Sequence, residues 1–450
     1  MRARRVITPE GTRAASVHVA HGRIAAVAAW DAVPAGVPLV DAGDDTVLMP
    51  GVVDTHVHIN EPGRTEWEGF ATATQAAAAG GVTALVDMPL NSVPATTTLA
   101  ALREKRRAAE GQLFVDVGFW GGVVPGNTGE LAGMAAAGAI GFKCFLVESG
   151  VAEFGFVREA ELRPAMVELA RLRSQLLVHA ELPGPIDAAA LEQARTRPDP
   201  RRYATYLASR PRAAEDQAVA LMIALCRDTG ARTHVVHHAS SDSLPAIAGA
   251  RAAGLPFSAE TCPHYLSFAA EEIPDGATAW KCAPPIRERA NRELLWQALR
   301  DGTLGLVASD HSPCTPALKQ QERGDFAAAW GGISGLQLAL SVVWTEARAR
   351  GFGLEDVVRW MCAAPAALAG VSLHKGRIAV GADADLVLLR DEATFAVAPE
   401  RVLHRHKITP YAGRTLAGVV ESTWLRGRRV WHRGELEGQP AGRTFSRGAA

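Results

Sequence analysis

LMPGVVDTHVHINEPGRTEWEGFATATQAAAAGGVTALVDM, residues 48–88, reads as a strand, a helix and a second strand. The runs 48–57 and 83–88 are short and apolar, and 66–79 between them has helical character. The alternation continues to about residue 350, with further candidate strands at 115–121, 141–146, 175–180, 233–239, 256–260 and 304–309. Stretches such as 158–173 and 213–228 read as the intervening helices. Eight strands alternating with helices predict an α/β chain, and a (β/α)8 TIM barrel rather than an open doubly wound sheet. The sequence has neither a G-x-G-x-x-G fingerprint nor a Walker A motif, which argues against a nucleotide fold.

Outside this region the pattern changes. Short β-like runs occur at 15–19 and 23–27, and again at 376–380, 385–389 and 418–425, without helical periodicity. The expected organisation is a small composite β-sandwich domain from both termini, 1–49 and 370–450, with a barrel at 50–369 inserted between them.

Composition excludes several classes of function. The 450 residues are 48% hydrophobic and 21% charged, with a formal net charge of -1. No global field attracts nucleic acid or an acidic membrane surface. No run approaches the ~18 uninterrupted apolar residues of a membrane span. The basic start, MRARRVITPEG, lacks the apolar segment of a signal peptide. The cysteines 144, 226, 262, 282, 314 and 362 are far apart and form no C-x-x-C pair, which suits reduced thiols in a cytoplasmic protein. Cys144, Cys262 and Cys314 sit beside polar motif residues and are alternative nucleophiles or ligands, although none has an obvious His partner.

The chemistry begins at His56-Val57-His58. Side chains two apart on a strand share a face, so both imidazoles can reach one metal ion. Two polar residues on the wet face of a strand are the plainer alternative. Lys143, His179, His237 and Asp310 each fall near the C-terminal end of a different predicted strand. Barrel enzymes assemble their sites at that face. Lys143 follows an apolar run, where burial favours a neutral amine. Such an amine can add carbon dioxide to give a metal-bridging carbamate; a snorkelling lysine with its head in water is the alternative. Two divalent ions would balance Asp310, a carbamate and a hydroxide, and leave charge to polarise a carbonyl.

These motifs resemble the cyclic amidohydrolase branch of the amidohydrolase superfamily, which includes allantoinases, dihydroorotases, hydantoinases and dihydropyrimidinases. The likeness is greatest to the allantoinases, and runs from DTHVHINEPGR (54–64) to KGRIAVGADADLVLL (375–389) and RHKITPYAGRTL (405–416). It includes GFKCF (141–145), LVHAE (177–181), ETCPHYL (260–266), KCAPPIR (281–287), SDHSPC (309–314) and AWGGISGLQ (329–337). The resemblance implies that His56, His58 and Asp310 bind one metal and His179 and His237 a second. It also implies a carboxylated Lys143 as the bridge, with zinc, cobalt, manganese or iron as the metal. Asp310 would carry the proton from a bridging hydroxide to the leaving nitrogen, and Asn91 and Ser312 would face the substrate.

Adjacent histidines in THVVHHASSD leave an ambiguity. A gapless alignment selects His237, whereas matching His-x-Ser-Ser selects His238. The gapless reading keeps THVVH intact and favours His237, leaving His234 and His264 as supporting or core residues. Dihydroorotases resemble His-x-His-x-Arg-Glu-Pro-Gly, and here Asn60 stands at the Arg position, which favours a neutral ring such as allantoin. Arg64, four residues further on, is the position able to reach an anion. The implied reaction is opening of allantoin to allantoate in purine catabolism, by a small-molecule enzyme that is expected to be a homotetramer without nucleic-acid or membrane partners. Hydantoinase, dihydropyrimidinase or dihydroorotase activity, or a non-catalytic relative, is the alternative. A serine amidase is disfavoured because GGISG (331–335) is not a G-x-S-x-G elbow.

Overall fold

The chain runs through β1 (Arg2–Thr8), β2 (Gly11–Ala20), β3 (Arg23–Ala28), β4 (Val47–Pro50), β5 (Val52–Val57), β6 (Val82–Asp87), β7 (Asp116–Phe119), β8 (Gly121–Gly122) and β9 (Phe142–Phe145). It continues through β10 (Gln175–His179), β11 (Arg232–Val235), β12 (Phe257–Thr261), β13 (Leu306–Val307), β14 (Leu386–Ala396), β15 (Thr415–Leu425), β16 (Arg428–His432) and β17 (Glu435–Leu436). The computed structural model describes residues 1–448, so 449–450 of the expected composite domain lie outside the described residues.

The central strands are parallel and in chain order. β5, β6 and β7 form one sheet, and β8 to β13 form another. The two sheets meet at both sides. Trp120, between β7 and β8, donates its backbone N–H to the Asp87 carbonyl at 3.0 Å. Past β13, His311 bridges Val57 in parallel and accepts the His58 N–H at 2.8 Å. Every residue of β5 and β6 is buried, as expected of strands covered on both faces.

The first predicted strand, 48–57, is in fact two. β4 pairs with β1 and β14 in the sheet of the termini, whereas β5 starts the central strands. Pro50 lacks an N–H, and a Cβ at Gly51 would lie 2.1 Å from Thr83 Oγ1. Only glycine fits where the backbone crosses between sheets against β6. The predicted strand 115–121 is likewise interrupted, at Trp120, giving β7 and β8.

Strands from both ends of the chain interleave in one eight-stranded sheet, in the order β17-β16-β15-β14-β4-β1-β2-β3. Its attachment to the central strands includes a charged cluster. Lys375 Nζ lies 2.6 Å from Asp116 in β7, 2.6 Å from Asp385 and 2.9 Å from Asp383. Arg426 also pairs with Asp116. Lys375, Asp116 and Asp385 are almost fully buried. Removing one partner of a buried ion cluster leaves charge uncompensated, which costs about 3–5 kcal/mol. Lys375→Met is therefore expected to lower the unfolding midpoint in urea by a corresponding amount. A midpoint equal to wild type would show that the cluster does not secure the attachment.

Candidate active site

The C-terminal ends of the central strands converge on a buried group of imidazoles. His56 and His58 leave β5 on one face, with ring centroids 5.6 Å apart. Asp310 Oδ1 lies 3.2 Å from His56 Nε2 and 3.4 Å from His58 Nε2. Lys143 Nζ, on β9, lies 3.2 Å from His56 Nε2. His179 Nδ1, from β10, faces His237 Nε2 at 3.0 Å. The His56 and His237 rings are 5.3 Å apart. All six side chains are buried.

The adjacent histidines point in different directions. His237 turns into the cluster, whereas His238 Nε2 meets Ser243 Oγ at 3.3 Å and its Nδ1 lies 3.9 Å from Glu215. His237 has φ 39° and Asp310 φ 44°, both in the left-handed region. Non-glycine residues held there carry strain of order 1–3 kcal/mol, which the surrounding structure must offset.

Hydrogen bonds behind the imidazoles set which nitrogen each presents. His56 Nδ1 donates to Glu260 Oε1 at 2.6 Å, leaving Nε2 inward. The other Glu260 oxygen accepts from His234 Nε2 at 3.1 Å, so His234 acts through Glu260 on His56. His179 Nε2 meets Glu181 Oε2 at 2.7 Å, leaving Nδ1 inward, and Arg210 binds both Glu181 oxygens. Asn91 Nδ2 lies 3.4 Å from His58 Nδ1. Phe145 stacks on His179, with centroids 4.5 Å apart. Carboxylate–histidine pairs of this kind orient metal ligands in other proteins.

Electrostatics follow from burial. It pushes Lys143 down to about 8, with Asp310 and Glu260 opposing the shift. It also lowers His58 to about 3 and raises Asp54 to about 6. For Asp310 burial alone would raise the pKa, but the His56 charge and hydrogen bonds from His56 and His58 together hold it well below the carboxylate range.

These residues pass a chemical test for a metal centre. His56, His58 and Asp310 offer three ligand atoms within 4.8 Å of one another. The inward nitrogens of His179 and His237 face each other with only one proton's room between them, a contact that a cation would satisfy better. Burial favours the neutral amine at Lys143 that carbamate formation needs.

The site borders a cavity of about 530 Å³. Asn91 and Ser312 line it, and Ser312 Oγ donates to Asp310 Oδ1 at 3.0 Å. Asn60 and Arg64 are absent from its lining. Asn60 is buried and donates to the Pro313 carbonyl at 3.3 Å. Arg64 pairs with Glu153 and donates to the Asn91 carbonyl at 2.7 Å. In this structure both side chains engage protein groups beside the cavity. Conversely, Arg210 and Lys281 line the cavity and were not singled out from sequence. Cys144, Cys262 and Cys314 are buried, and burial raises each thiol, so none is activated as a nucleophile. His264 packs 4.2 Å from the Tyr265 ring, and neither of its nitrogens has a partner.

Residues 47–430 match the family described as Amidohydrolase family. The chain belongs to the amidohydrolase family. Within that family it is 56% identical over 448 residues to "Allantoinase" of Streptomyces avermitilis, covering 99% of this chain and 98% of the relative. It is 46% identical over 387 residues to "Allantoinase" of Saccharomyces cerevisiae, with 85% and 82% covered. Among solved structures, "L-Hydantoinase (Dihydropyrimidinase) from Arthrobacter aurescens" superposes with a TM-score of 0.94 at 32% identity, covering 99% of this chain and 98% of that one. The dihydropyrimidinase of Brevibacillus agri gives 0.90 at 29% identity, with 100% and 99% covered. Among the described residues no helix is long and apolar enough to cross a membrane.

Proposed function

We propose that this amidohydrolase is an allantoinase, opening the cyclic amide of allantoin by hydrolysis to give allantoate. The observation that carries the reading is the near full-length identity of 56% to an allantoinase, over a chain whose candidate ligands converge in one buried cluster. The central strands, joined at both sides and numbering eight when the interrupted β7 and β8 are taken as one, support a closed (β/α)8 barrel within residues 50–369. The sheet of both termini supports a composite sandwich from 1–49 and 370–450, although the tail at Thr444 bridges Val117 in β7.

His56, His58 and Asp310 would hold one divalent ion and His179 and His237 a second, with carboxylated Lys143 between them. Ions held there would polarise the amide carbonyl and lower the pKa of the attacking water. Asp310 moves the proton: its carboxylate takes one from the water and delivers it to the ring nitrogen as the C–N bond breaks. The carbonyl carbon gains the OH and the nitrogen gains the H, so the product is a ureido acid. Ser312 orients the Asp310 carboxylate, and Glu260 and Glu181 fix the tautomers of His56 and His179. Arg64 is engaged by Glu153, which removes the cation best placed by sequence to bind a carboxylate-bearing ring.

The test is the purified, metal-reconstituted protein assayed on allantoin, hydantoin, dihydrouracil and dihydroorotate. Allantoin is expected to give the highest kcat/KM. Strong chelation should abolish turnover, and zinc, cobalt or manganese should restore it. Dihydroorotate turnover equal to or above that of allantoin would overturn the substrate reading; full activity in metal-free protein would overturn the mechanism.

A further inference from the structure

Lys281 lines the same cavity as the candidate ligands, yet none of its hydrogen bonds goes to them. Its ammonium donates to the carbonyl of Ala327 at 3.3 Å and to that of Ala329, and lies 5.3 Å from the Tyr206 ring centre. An ammonium has three N–H groups. Two are taken by these carbonyls, and the third is unspent. Arg210, the other basic residue of this wall, is committed to both oxygens of Glu181. Lys319 behaves differently: it is fully buried, bound to the carbonyls of Trp330 and Gly332, and does not line the cavity. Apart from Lys143, Lys281 is therefore the cavity-lining cation, among the described residues, that forms no ion pair.

The backbone around Lys281 is equally fixed. Its carbonyl accepts the Gly332 N–H at 2.8 Å, and a Cβ at Gly332 would lie 2.3 Å from the Ser312 carbonyl oxygen. Lys281 and the loop 327–332 thus form one rigid wall, with Ser312 and Asp310 next to it. A neutral ring whose amide faces Asp310 must put its substituent elsewhere along this cavity. For allantoin the substituent is a ureido group, whose carbonyl oxygen is a strong acceptor and which carries no charge.

We propose that Lys281 is a specificity-determining residue whose unspent N–H donates to the ureido carbonyl oxygen of the substrate. The assignment rests on the allantoinase reading and adds to it the group that distinguishes allantoin from an unsubstituted hydantoin. Burial, followed by the charges of Lys319 and Arg210, lowers Lys281 to about 8, which leaves it protonated near neutral pH in a poorly hydrated setting. A charge-assisted bond is strong in such a place.

The experiment compares wild type and Lys281→Met by kcat/KM for allantoin and by the inhibition constant of hydantoin against allantoin turnover. Loss of a hydrogen bond from a charged group predicts a ~10–10²-fold fall for allantoin. The hydantoin inhibition constant should stay unchanged, because hydantoin has the ring and lacks the ureido arm. A purely structural clamp on Ala327 and Ala329 would impair both ligands in parallel, and that result would overturn the proposal, as would unchanged kcat/KM for allantoin. If the Met variant does not fold, Lys281→Gln decides by the same two measurements, since it keeps a donor for the loop but no charge. Absence of allantoin turnover in wild type would instead refute the functional reading, and is seen before any variant is made.

Discussion

Asp310→Asn is expected to cut turnover by at least the ~10²–10⁴-fold typical of general acid–base catalysis, even where metal is retained. The substitution preserves shape and one ligating oxygen but cannot accept the proton. In the folded protein Asp310 is held as a carboxylate by His56 and His58, so it is ionised and ready to accept at neutral pH. Ser312 donates to the oxygen nearest both imidazoles, leaving the second oxygen for proton traffic. Measuring kcat together with bound metal separates the two roles. Near wild-type turnover in a metal-loaded Asn variant would exclude Asp310 as the proton carrier.

Lys143→Ala should lose both bound metal and activity. The loss should exceed the ~10–100-fold that removal of an outer-shell partner costs a metal site. The amine is buried on β9 beside His56 Nε2, and burial brings it to about 8, so a usable neutral fraction exists near neutral pH. That fraction can attack carbon dioxide, forming an N–C bond and releasing a proton to give a carbamate. A short carboxylic acid such as propionate, added to the Ala variant, is expected to restore part of the metal content and turnover by occupying the vacated space. An ordinary ammonium at Lys143 in a protein with both metals bound would contradict the assignment.

Much of the site was legible because a strand shows its residues in a fixed order. Polar side chains placed directly after apolar runs, as at Lys143, His179 and Asp310, stand out from the chain without any contact information. The same logic found each central strand, since burial on both faces demands continuous apolar stretches. It failed where the chain leaves regular geometry. Period-two alternation does not decide between His237 and His238, because β11 ends at Val235 and the left-handed backbone at His237 redirects the next side chain. It also read 48–57 as one strand, because a strand that crosses from one sheet to another keeps its apolar character on both sides of Gly51.

By itself, then, the sequence determined the alternating architecture, the six residue types suited to a metal pair and the strand ends that present them. These depend on local polarity and periodicity, which a chain carries residue by residue. Only the tertiary structure decided which partners meet across the chain. Glu260 reaches His56 over 204 positions, and Lys375 reaches Asp116 over 259. Neither pairing has a local pattern to announce it. The same holds for Asn60 and Arg64, which sit beside the metal motif in sequence but engage protein groups beside the cavity, and for Lys281, which lies far from that motif yet borders the cavity. A side chain's surroundings are set by the elements that fold against it, and those come from distant parts of the chain.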